Sequence, residues 1–122
     1  MDIETQLSKK YGISRDDLIR AIEREIKLIE SKGSGGRKNR IKLLETEFVK
    51  RHFISPKNAE KFLKEAKKRI STTSFWRLRR NLEMKGIVVD PDGNIIELII
   101  IYYLLFINYY ILDNSYYSFF IN

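Results

Sequence analysis

Apolar positions along this chain fall into a helical period four times, alternate briefly as two extended runs, and then lose all periodicity. Leu18, Ile19, Ile22, Ile26 and Ile29 share one face of a helix about four turns long, whose other face alternates Arg20, Glu23, Arg24, Lys27 and Glu30. Ile41, Leu44, Phe48 and His52 recur at i, i+3, i+7 and i+11 and predict a second helix. Ala59, Phe62, Leu63, Ala66 and Ile70 predict a third, with Lys57, Lys61, Lys64 and Lys68 along the opposite face. In a fourth, Phe75, Leu78 and Leu82 point inward, which turns Thr72, Thr73, Trp76, Arg77, Arg79 and Arg80 outward. The boundaries carry their own signals. Ser14 with Asp17 has capping-box spacing, Ser55-Pro56 places a hydroxyl acceptor before a first-turn proline, and Ser71 can cap the fourth helix. Gly86 ends that helix, and Ile87-Val88-Val89, the turn Pro91-Asp92-Gly93-Asn94, and Ile95-Ile96-Glu97-Leu98 come next as a β-hairpin. Ile3, Leu7 and Tyr11, stopped by Gly12, suggest a short helix ahead of all these. The predicted fold is mainly α with a small β-hairpin.

The pattern divides the chain into an N-terminal helical unit (1–32), a basic Gly-rich linker (33–40), a unit of three helices and a hairpin (41–98), and an apolar tail (99–122). Gly33-Ser34-Gly35-Gly36-Arg37-Lys38 is a flexible connection by composition; it lacks the spacing of a phosphate-cradling Walker loop, and no buried strand precedes it. Arg37, Lys38, Arg40 and Lys42 are candidates for a loose arm on a DNA backbone. The apolar face from Leu18 to Ile29 is suited to packing or dimerisation. Leu7 to Ser14 has the wording of a helix-turn-helix turn, but Asp16 and Asp17 stand where phosphates would have to lie.

Helix, short turn, arginine-rich helix and hairpin is the layout of a winged helix-turn-helix. Ile70-Ser71-Thr72-Thr73-Ser74-Phe75-Trp76-Arg77, followed by Leu82-Glu83-Met84-Lys85-Gly86-Ile87-Val88, resembles the recognition-helix-to-wing segment of winged-helix regulators of the MarR and ArsR kind. The likeness extends over about a third of the chain. It departs at Arg79, where an apolar residue is usual, and in the acidic turn Asp90 to Asn94, which argues against a wing clamped on the minor groove. The resemblance implies a winged helix-turn-helix domain that holds duplex DNA.

Charge sharpens that expectation once it is located. The chain is +7 overall, yet residues 1 to 31 hold 6 basic and 7 acidic side chains, residues 32 to 85 hold 17 and 5, and residues 86 to 122 hold 0 and 4. The whole excess, net +12, lies on the predicted helices of the middle segment, and such a face attracts polyanions through counterion release. Lys57, Lys61, Lys64, Lys68, Thr72, Thr73, Trp76, Arg77, Arg79 and Arg80 are therefore the candidate DNA-binding residues. An indole beside arginines can stack on a sugar or a splayed base, or pack beside the wing.

Catalysis is not indicated. Cysteine is absent, which removes disulfides and thiolate metal sites and fits a reducing cytoplasm. His52, the single histidine, has no carboxylate at ligand spacing and is a packing or capping residue by expectation. No nucleophile elbow, paired-carboxylate signature or metal motif occurs, so neither enzyme activity nor a cofactor or metal is expected. Met1-Asp2-Ile3-Glu4 is acidic and no apolar core run comes with it, so a secretory signal is not expected here.

From Leu98 to Asn122 there is no Lys, Arg, Gly, Ala or Pro. A dimerisation helix, a membrane tail and a non-native extension all remain open for this segment. The membrane reading has only Leu98 to Leu112, roughly 22 Å of helix against a hydrocarbon core of about 30 Å. The extension reading rests on codons: all but Asp113, Ser115 and Ser118 can be encoded by A and T alone. The composite expectation is a cytoplasmic, homodimeric transcriptional regulator of a prokaryotic or mobile-element genome that binds double-stranded DNA. The alternatives are a protein-interaction or replication-accessory scaffold of the same fold, and a membrane-tethered adaptor.

Overall fold

A computed structural model describes residues 14 to 32, 36 to 103 and 106, together with Lys9 and Gly12. Four helices, α1 (Arg15–Ser31), α2 (Arg37–Ile54), α3 (Pro56–Arg69) and α4 (Thr72–Met84), precede strands β1 (Ile87–Val89) and β2 (Ile95–Leu98). The chain is helical again at 100 to 103 and at 106. The short helix expected from Ile3 to Tyr11 lies outside the described residues, apart from a helical Lys9 and Gly12 at φ +66°.

The serine signals act as their chemistry requires. Ser14 Oγ accepts from the Asp17 amide at 3.1 Å while Ser14 donates its own amide to Asp17 Oδ2 at 3.3 Å, a complete capping box. Ser55 Oγ accepts from the Asn58 amide at 3.4 Å with Pro56 in the first turn, and Ser71 Oγ accepts from the Ser74 amide at 3.1 Å. Helix α2 differs. It has no side-chain cap, and it begins at Arg37 rather than at Ile41, so Arg37 to Arg40 form its first turn instead of a loose arm. The extension is held from across the molecule, where Arg37 Nε donates to Ser74 Oγ at 2.9 Å.

Helix α2 is the centre of the packing, with α1, α3 and α4 all against it. Its Ile41, Phe48, Val49 and Phe53 are buried with Leu18, Ile22 and Ile26 of α1, Ala59 and Leu63 of α3, and Phe75, Leu78 and Leu82 of α4. The Leu18 to Ile29 stripe is thus consumed inside the chain, with Ile19 only half-buried. Removing these stripes from water, at about 25 cal/mol per Å² of apolar area, is what holds helices too short to persist alone.

The strands pair antiparallel with Ile87 opposite Leu98, Val88 opposite Glu97 and Val89 opposite Ile95, and a bulge falls between Val88 and Val89. Asp90 closes the turn: its Oδ1 accepts from the amides of Asp92 and Asn94, both at 2.9 Å, and Gly93 adopts φ +95°. These hydrogen bonds, those from Asn94 first, hold the Asp90 carboxyl below the usual carboxylate range.

Gly86 accounts for the path of the chain beyond the hairpin. It sits at φ +95°, and a Cβ there would meet Ile99 O at 2.6 Å and Tyr103 N at 2.9 Å. Ile99 donates its amide to Gly86 O at 2.6 Å. The chain crosses closely over this glycine and brings Tyr103 into the core at 0% exposure, with its ring stacked on Phe53 at 5.8 Å and its hydroxyl 3.1 Å from His52 Nδ1. The apolar segment thus contributes Tyr103 to the core, while Ile100, Ile101 and Tyr102 are exposed. Residues 107 to 122, on which the choice between dimer helix, membrane tail and extension depends, lie outside the described residues. Among the described residues no helix is long and apolar enough to cross a membrane.

Candidate nucleic-acid interface

Helix α4 is fixed by its inward stripe. Because Phe75, Leu78 and Leu82 are buried, Thr72, Thr73, Trp76, Arg77 and Arg80 are exposed on the outer side. The Arg80 guanidinium lies 5.3 Å from the Trp76 ring centroid, so the indole, 52% exposed, is half covered by a cation that still faces solvent. No carboxylate among the described residues pairs with Arg77 or Arg80, and the first turn of α4 carries no acid. Arg79 takes a different position. It is half-buried, and its Nε donates to the Val89 carbonyl at 3.0 Å, tying α4 to the first strand.

On α3, Lys57, Lys61, Lys64 and Lys68 are all exposed. Lys68 lies 3.8 Å from Glu65, a contact one turn away on the same helix. Lys64 supports the hairpin turn, since Gly93 packs over its side chain and backbone. On either side of it, Glu60 accepts from the Ile95 amide at 3.3 Å and Lys67 meets Asp92 at 3.5 Å. The stripe 60, 64, 67 on α3 is where the acidic turn rests. The turn's carboxylates have a local partner, and Lys57, Lys61 and Lys68 remain beside it.

Two concavities adjoin these helices. A groove of about 510 Å³ has a floor of Leu44, Phe62, Ala66 and Ile70 and cations at Arg51, Lys61 and Arg69. Arg51 lies over Phe62 at 4.7 Å and meets Glu47 at 3.5 Å. A second cavity of about 300 Å³ is bounded by Arg37, Arg40 and Arg69, with Ser71 and Ser74. Arg69 was not legible as a site residue, because its partners come from another helix. The i, i+3 spacing of Arg37 and Arg40 was the only local signal.

The titratable groups inside serve packing. Burial pushes the His52 ring below its ordinary 6.5, which keeps it neutral between Phe48 and Tyr103. Lys85 forms an ion pair with the buried Glu45 and lies 4.9 Å from the Phe106 ring. Burial, with the charge of Lys42 adding to it, lowers its ammonium to about 8. No group of three or more His, Cys, Asp or Glu among the described residues could hold a metal ion.

Neither family models, nor characterised proteins, nor solved structures show a match to this chain.

Proposed function

We propose that this chain holds double-stranded DNA without catalysis, as a winged helix-turn-helix regulator in which α4 enters the major groove and α3 lies along the backbone. The outward face of α4 carries the reading: Thr72, Thr73, Trp76, Arg77 and Arg80 are presented together, without an opposing carboxylate among the described residues. Arginine can bind guanine bidentately and threonine can contact either a base edge or a phosphate. The basic excess of 17 over 5 in residues 32 to 85 supplies the sequence-independent attraction. The order of three helices and a hairpin supports the winged arrangement, with the acidic turn folded onto α3 rather than extended toward the minor groove. A dimer reading a two-fold operator in a prokaryotic or mobile-element cytoplasm is the biological form of this proposal.

Fluorescence anisotropy against duplex DNA, single-stranded DNA and RNA across a salt series tests it. Duplex preference with a steep salt slope is the expected result. Equal affinity for all three polymers would remove α4 as a duplex reader. The groove floored by Leu44, Phe62, Ala66 and Ile70 favours a second reading, a protein-interaction scaffold, which predicts no polymer binding at physiological salt.

A further inference from the structure

We infer that the cavity between the first turn of α2 and the α3–α4 junction is a phosphate-binding site. Three elements bring one arginine environment together there: Arg37 and Arg40 from α2, Arg69 from the end of α3, and the hydroxyls of Ser71 and Ser74 from the start of α4. The cavity measures about 300 Å³, and no carboxylate among the described residues lines it. None of the three arginines has an ion-pair partner among the described residues, so three like charges converge on one concavity uncompensated. Such an arrangement attracts an anion to the cavity.

The arrangement is also held in place. Arg37 Nε donates to Ser74 Oγ at 2.9 Å, and Ser71 Oγ donates to the same atom at 3.0 Å. Ser74 is 8% exposed, so this anchor is shielded from water. One nitrogen of Arg37 is spent on position, and its terminal pair is left for an oxyanion in the fork geometry that suits phosphate. The start of α2 makes the same point from the sequence. Arg37, Lys38 and Arg40 stand in the first turn with no acid, where the helix dipole disfavours cations. A bound phosphate reverses that penalty.

The chemistry is a phosphate group, either a phosphodiester of a duplex or the phosphate of a small compound. The inference stands on this cavity and does not require the DNA reading. Inorganic phosphate titrated into the full chain at constant ionic strength, monitored by nitrogen–proton NMR, tests it. Saturable shifts at the amides of residues 71 to 74 and at the Arg37 side chain are expected, weakened at least about tenfold in R40Q/R69Q. Arg40 and Arg69 are exposed, and the single R40Q and R69Q chains keep the comparison valid should the double variant misfold. The absence of saturation, or equal shifts in the variants, overturns the site. Duplex binding separates the two sources. If R40Q/R69Q lowers the slope of log affinity against log salt by about 1, the phosphate belongs to the DNA backbone. An unchanged slope in R40Q/R69Q, alongside saturable phosphate binding by the wild-type chain that the variant weakens, assigns a small phosphorylated compound. A wild-type chain that binds no duplex removes the DNA reading, while the phosphate titration still decides the cavity.

Discussion

Helices α1 and α4 each start on a serine that accepts a hydrogen bond from the amide three residues on, and each buries one apolar stripe against α2, yet their outer faces differ in chemistry. Asp16 and Asp17 occupy the first turn of α1, and its exposed side alternates Arg20, Glu23, Lys27 and Glu30, with Glu23 meeting Lys50 of α2 at 3.8 Å. That helix compensates the N-terminal end of its dipole and most of its own charge. The first turn of α4 has no acid, and its exposed side offers Thr72, Thr73, Trp76, Arg77 and Arg80. Burial is satisfied equally in both, so Arg77 and Arg80 of α4 are not explained by folding. A helix can be finished for solvent or for a ligand on the same internal plan.

The salt dependence of duplex binding is the sharpest test of that difference. If about 6 phosphates are neutralised, affinity falls on the order of a thousandfold between 50 and 200 mM salt. Replacing Lys57, Lys61, Lys64 and Lys68 with Gln should flatten the slope. Replacing Arg20 and Lys27 of α1 with Gln should leave it as it was. If the α1 changes flatten it as much, the contrast between the two helices has no functional content.

Both surfaces rest on one core, so a lesion there should affect them together. Tyr103→Ala empties a fully buried site and is expected to cost about 3 to 5 kcal/mol by denaturant unfolding. Tyr103→Phe removes the hydroxyl and its contact with His52 Nδ1 and should cost about 1 kcal/mol. A chain ending at Leu98 should unfold as readily as Tyr103→Ala, while one ending at Phe106 should retain the core. Equal stability of the two truncations would show that the Tyr103 site contributes nothing.

What the sequence revealed was local, and what it hid was not. Ser55-Pro56, Ser71 and the Asp90 to Asn94 turn announce themselves because each acts within about four residues of itself. The period likewise exposes Phe75, Leu78 and Leu82, since one helix face suffices to define them. The contacts that position the candidate site join distant segments: Arg37 to Ser74, Arg79 to Val89, Lys67 to Asp92 and Tyr103 to His52. No window of sequence contains both partners of the longer pairs, and a polar or aromatic residue gives no directional hint of its own. The acidic turn was legible as a departure from a DNA-contacting wing. Its physical purpose appeared only with the stripe of α3 on which it rests.

Under the proposed function, base reading should separate α4 from α1 at a smaller scale. Arg77→Ala should lose about 1 to 3 kcal/mol at particular base positions and relax preference there. Arg20→Ala should change no base preference. A uniform loss across all duplex sequences from Arg77→Ala would reduce α4 to a phosphate contact.

Acidity tests the shared core without touching either surface. The folded His52 titrates below 6.5, so between that lowered value and 6.5 the unfolded chain binds more protons than the folded one. Stability should therefore decline as pH falls through about 6.5 and onward to the folded value. His52→Phe should remove that component from a thermal series taken between pH 7 and 5. An identical decline in the variant would place the titrating group elsewhere.

The smallest effect concerns the turn that lies against α3. Asp92 and Lys67 meet at 3.5 Å, with Asp92 81% exposed, so Asp92→Asn should cost no more than a few tenths of a kcal/mol in stability. Its effect on binding has the opposite sign: removing a negative charge beside Lys64 and Lys67 should raise duplex affinity severalfold at low salt, and the gain should fade as salt rises. Asp90→Asn provides the contrast, because that carboxylate accepts from Asp92 and Asn94 and closes the hairpin. It should loosen the turn from α3, which hydrogen exchange at Ile95 would record. If Asp92→Asn weakens duplex binding instead, the acidic turn does not lie at the edge of the DNA-facing surface, and α4 would have to approach the duplex from its Thr72 end alone.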